Sequence, residues 1–106
     1  MIRGTTQLHT FFMPFDLSNI RDIYVTYEQN KQEIVEKNIA DVQFDYQKKA
    51  INVELNQYDT LLFHPYTVPG SDVVSIQIRL TTIDGRVMAS HVMRTRVYDI
   101  IKQGVI

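Results

Sequence analysis

Three histidines, His9, His64 and His91, are the side chains best suited to proton transfer or metal binding near neutral pH. No two stand at the His-x-His or His-x-x-x-His spacing that turns both imidazoles toward one ion. His9 and His91 could meet on one sheet face, but a half-buried, hydrogen-bonded histidine is the plainer assignment for each. Asp59 and His64 supply two parts of a Ser-His-Asp set, with Ser71 or Ser90 as its nucleophile. That chemistry needs a serine lifted on a strained turn, and neither serine has such a context. Asp59, ahead of Thr60 and Leu61, reads instead as a turn or helix-start residue whose carboxylate accepts backbone N–H groups. Asp41 and Asp45 are expected on one face of a short strand. Paired carboxylates cleave glycosides only across a cleft, whereas charged strand edges commonly keep sheets from aggregating. Arg79, Arg86, Arg94 and Arg96 cluster late in the chain, either as a small anion patch or as a solvated face paired with acids such as Glu54.

The absences are as informative. No cysteine occurs, so disulfides, zinc–thiolate sites and thiol nucleophiles are excluded. Four glycines form no phosphate-cradling loop. No nucleophile, base and orienting group can be assembled, and neither an enzyme nor a cofactor or metal is expected. Eleven basic and twelve acidic residues leave a net charge of -1, which provides no overall attraction to nucleic acid or an acidic membrane. No apolar run approaches the ~20 residues of a membrane helix, and no secretion signal is expected.

Period-two alternation dominates the elements that must position these residues. Ile23, Val25 and Tyr27 alternate with Tyr24, Thr26 and Glu28; Ile51, Val53 and Leu55 alternate with Asn52 and Glu54. Val74, Ile76, Ile78 and Leu80 alternate with Ser75, Gln77, Arg79 and Thr81. One-sided burial of this kind suits antiparallel sheets. Turn residues at Asn30-Lys31, Gln47-Lys48-Lys49 and Asp84-Gly85 separate the runs. The expected strands are 6–13, 22–29, 32–38, 42–46, 50–55, 73–82 and 86–97, with helical turns at Leu17–Arg21 and Gln57–Leu62. His91 breaks the alternation of the last run, which predicts a β-bulge near Ser90–His91. The expected fold is an all-β, immunoglobulin-like antiparallel sandwich of about seven strands over 1–97. The tail, 98–106, either folds back to cap the sandwich or docks on a neighbouring copy.

Adjacent Phe11 and Phe12 must face opposite sides of a strand, as must Val87 and Met88. Two-sided apolar strands call for a second layer, from another protomer or from the 57–70 connection. The expected partner-contact residues are therefore Phe11, Phe12, Met13, Tyr98, Ile100 and Ile101, aromatic and apolar groups near the two termini. Tyr46, Tyr58 and Tyr66 would be the stacking platforms of a carbohydrate-binding module.

The order of motifs carries one resemblance. Arg3-Gly4-Thr5-Thr6, His9-Thr10-Phe11 and Pro14-Phe15-Asp16 precede Ile20 and Ile23-Tyr24-Val25-Thr26-Tyr27-Glu28-Gln29-Asn30. Asp59-Thr60-Leu61, Val74-Ser75-Ile76-Gln77-Ile78-Arg79, Thr82-Ile83-Asp84-Gly85 and Ala89-Ser90 follow. This order resembles small bacteriophage- and prophage-encoded proteins, and more loosely the N-terminal β-sandwich of phage upper-baseplate proteins. The resemblance implies a non-enzymatic virion structural protein of capsid, neck, tail or baseplate, made in the host cytoplasm. Its implied partners are other virion proteins or further copies of itself. The alternative is a phage-encoded sandwich that binds a host protein or a carbohydrate.

Overall fold

The computed structural model describes Met1–Ile106 and is an all-β protein of two antiparallel sheets packed face to face. Its spine is two long strands, β2 (Ile20–Gln29) and β6 (Val73–Thr82), paired from Ile20 opposite Thr82 to Gln29 opposite Val74. Their inward residues, Ile23, Val25, Tyr27, Val74, Ile76, Ile78 and Leu80, are all buried. β3 (Gln32–Asn38) flanks β2. β7 (Val87–Ala89) and β8 (Met93–Arg96) share the other edge of β6, completing a five-stranded sheet. The second sheet has the order β1 (Gln7–Phe12), β5 (Ala50–Leu55), β4 (Val42–Asp45). Ile51, Val53 and Leu55 of β5 meet the five-stranded sheet, while Leu17, Phe63 and Val97 close the ends of the core.

The chain changes sheet after β1, β3 and β5 and turns back by hairpins after β2, β4 and β6. The first hairpin is a two-residue turn with both Asn30 and Lys31 at positive φ, 53° and 64°. That left-handed geometry matches the twist of the strands it joins. At Asp84-Gly85 the turn is one residue longer than the tightest hairpin: Thr82 pairs with Arg86, and Gly85 sits at φ 87° and donates to the Thr82 carbonyl. Glycine takes that conformation without steric cost.

The last expected strand is divided. Four residue steps of β6, Ile76 to Leu80, lie opposite five steps of the partner, Met93 to Met88. The surplus residue falls at the Ser90–Val92 break, where a bulge was expected, and eight strands result. Ser90 holds both sides of the break, since its N–H donates to the Ile78 carbonyl and its Oγ accepts the Ile78 N–H. The expected turn at 17–21 is a 3-10 turn over Leu17–Asn19, capped by Asp16, with Ile20 and Arg21 already in β2. The second is α1 (Gln57–Leu61), opened by a reciprocal capping box between Asn56 and Asp59. No helix is long and apolar enough to cross a membrane.

The tail does not leave the fold freely. Tyr98 bridges Ile2 in parallel, and the Arg3 N–H donates to the Tyr98 carbonyl at 2.9 Å. The Arg3 guanidinium reaches Asp99 and the carbonyls of Leu61 and Phe63.

Candidate functional site

The two sheets differ in width, and their difference opens a groove along one side of the sandwich. One wall is the end of β1 and its exit, Phe11 to Phe15; the other is Met88, Ala89, the Ser90–His91 break and Met93. Ile78 and Leu80 of β6 form the floor. The groove encloses about 580 Å³ and is lined mainly by apolar side chains. Alternation along β1 half-buries Phe11 against the core and leaves Phe12 70% exposed. On the opposite wall the inward-facing Met88 and Met93 lie across from Leu80 and Ile76.

Both walls are open strand edges. β1 pairs only with β5, and Met13 donates to the Lys49 carbonyl at 2.8 Å. In an antiparallel ladder this places the backbone groups of Leu8, Thr10 and Phe12 on the side away from β5. Across the groove, Arg86 accepts the Thr82 N–H and Ser90 donates to the Ile78 carbonyl, both of β6, so the backbone groups of Val87 and Ala89 also face outward. An apolar trough between two rows of unpaired peptide groups is chemically complementary to an extended chain.

The expected contact residues separate into two places. Phe11, Phe12 and Met13 line the groove. Tyr98, Ile100 and Ile101 lie beyond the opposite end of β1, where Ile100 packs beside Gly4 and Leu61 and Ile101 is fully exposed. A six-residue strand, roughly 20 Å long, separates the two groups.

The other chemical candidates have structural partners. His9 stacks on Tyr27, and its Nδ1 lies 2.7 Å from the Tyr27 hydroxyl. Burial, reinforced by the Met1 ammonium, lowers the His9 pKa below its ordinary value; burial, reinforced by Asp59, raises that of the Tyr27 phenol. His64 is exposed, and its backbone N–H is held by the Gln29 side chain. Gln29, fully buried, also donates to the carbonyls of His64 and Ser71, clamping the β5–β6 connection to the end of β2. Asp59 pairs with Lys37 at 2.9 Å and caps α1, while the Ser71 Oγ accepts the Thr67 and Val68 N–H groups. No Ser-His-Asp set forms from these residues.

Asp41 and Asp45 do not share a strand face. Asp41 precedes β4 and accepts the Asn38 N–H, and Asp45 accepts the Lys48 N–H in the next turn. Their side chains serve the turns at the two ends of a four-residue strand. The arginines also divide: Arg86 pairs with Asp84 and Arg96 with the buried Asp72, while Arg79 and Arg94 face outward on the five-stranded sheet. Glu54 lies on β5 of the other sheet and cannot be their cross-strand partner. No three His, Asp or Glu side chains come together in a metal-binding group. Tyr46, Tyr58 and Tyr66 are exposed, the first at the β4–β5 turn and the others on the β5–β6 connection.

The division of the last strand was signalled by His91, but the groove beside it was not, because it depends on which strands are neighbours. Gln29 was missed because its place in the alternation predicts an inward side chain without predicting its polar partners. No protein-family model matches the chain, and no curated protein matches it significantly.

Proposed function

We propose that this protein is a non-enzymatic assembly module of a bacteriophage virion, and that its groove holds an extended segment of another virion protein. The observation that carries the reading is the apolar trough between the open edges of β1 and β7. A guest strand would pair its backbone with these edges and bury alternate apolar side chains between Phe11, Met13, Met88 and Met93. Backbone pairing supplies affinity and the trough selects apolar side chains. The phage assignment rests on the motif order and on the absence from the sequence of a recognisable catalytic set.

Strand order supports the finer, immunoglobulin-like reading. The order β3-β2-β6-β7 follows the C′-C-F-G sheet of a variable-type domain, and β1-β5-β4 follows B-E-D without strand A. A second reading, a phage-encoded binding module for a carbohydrate or host protein, draws on exposed Tyr46, Tyr58 and Tyr66.

Two groove variants test the first reading by different routes. Thr10→Pro removes an outward N–H and the exposed hydroxyl bond to Asn52 but no backbone bond to β5, and Met88→Asp places a carboxylate in the trough. Each is expected to lower incorporation into assembled particles at least ~10-fold, the equivalent of about 1.4 kcal/mol, while the isolated protein still unfolds cooperatively. Normal incorporation of both folded variants would reject the groove reading. Binding to a defined glycan, lost on changing the three tyrosines, would favour the second.

A further inference from the structure

The outer face of the five-stranded sheet separates its charges by strand. Cross-strand register places Glu33, Glu28, Ser75 and Arg94 on one rung. Glu36, Thr26 and Gln77 form the next, followed by Asn38, Tyr24, Arg79 and Ala89. Acids therefore occupy β3 and β2, while arginines occupy β6 and β8. Glu28, Glu33, Glu36, Arg79 and Arg94 are exposed, and none joins the ion pairs within the chain. Glu28 and Glu33 lie directly opposite one another, a like-charge arrangement that destabilises an isolated sheet. Shallow hollows of about 370 and 300 Å³ lie on either side of Arg79.

We propose that this face binds a second copy of the chain about a two-fold axis running along the strands between β2 and β6. Such an axis exchanges the two sides of the sheet but keeps each rung at its level. Glu33 then faces Arg94 of the second copy on the same rung, and Tyr24 faces Arg79 of the second copy. The first contact joins opposite charges, and the second sets a guanidinium over an aromatic ring. Rotation about an axis across the strands would instead place acid over acid. The face is roughly 15–20 Å wide and 30 Å long from ordinary strand spacing and rise. It would bury on the order of 1,000 Å² in total, at the low end for specific association. The dimer is accordingly weak and salt-sensitive.

Sedimentation velocity on the full chain tests this. The wild type is expected to dimerise at about 10 mM salt and to dissociate at about 1 M salt. Arg94→Glu is expected to abolish dimerisation, and the swapped pair Glu33→Arg with Arg94→Glu to restore it. The restored dimer separates lost charge pairing from misfolding. A wild type that stays monomeric at high protein concentration and low salt would overturn the proposal. So would an Arg94→Glu dimer, or a folded swapped variant that remains monomeric. Thr10→Pro should dimerise like the wild type, so this contact is testable independently of the groove.

Discussion

At the residue scale, His9 is a structural group whose proton state is coupled to stability. Its ring fills space between Phe11 and Tyr27, and burial favours the neutral imidazole. The folded pKa is therefore below the ordinary 6.5. Between the two values the unfolded chain binds more protons, so folding stability must rise with pH. The His9 contribution is fully present above the unfolded value and is lost as pH falls toward the folded one. Thermal unfolding between about pH 8 and pH 5 should show this decline. His9→Gln, which can still bond the Tyr27 hydroxyl, should flatten it; an unchanged slope would place the sensitivity elsewhere. The histidine was visible in the sequence as a half-buried, bonded residue, but Tyr27 as its partner was not. That contact joins β1 of one sheet to β2 of the other, and alternation alone cannot say which inward residues touch.

At the element scale, the β2–β3 turn holds an avoidable cost. Lys31 lies at φ 64°, a left-handed conformation that a Cβ disfavours by about 1–2 kcal/mol. Lys31→Gly relieves that strain, although the freer unfolded chain offsets part of the gain. The expected result is an increase of about 0.5–1 kcal/mol in denaturant unfolding. A decrease would show that the lysine side chain contributes more than its backbone costs. Strand positions were largely legible because alternating burial follows directly from the pleat. The last run was less so. Its division depends on Ser90 bonding Ile78 on both sides, an interaction supplied by a strand outside the run.

At the scale of the whole molecule, the two chain ends hold one another. Met1 and Arg3 pair with Tyr98, and the Arg3 guanidinium gathers the carbonyls of Leu61 and Phe63 with Asp99. Deleting Tyr98–Ile106 should therefore cost about 1–2 kcal/mol, whereas deleting only Lys102–Ile106 should cost less than about 0.5 kcal/mol. Urea unfolding of the two truncations checks this, and equal effects would deny the tail its place against the first residues. By itself the sequence determined the all-β class, most strand positions, the inward faces and the absence of cysteine chemistry. These follow from side-chain type and a two-residue period, both local properties. Only the tertiary structure decided that Phe11 and Met88 face each other across a groove, that Asp41 and Asp45 serve separate turns, and that acids and arginines occupy opposite sides of one face. Each depends on strand order, which is set by how residues distant in sequence bury their apolar faces together.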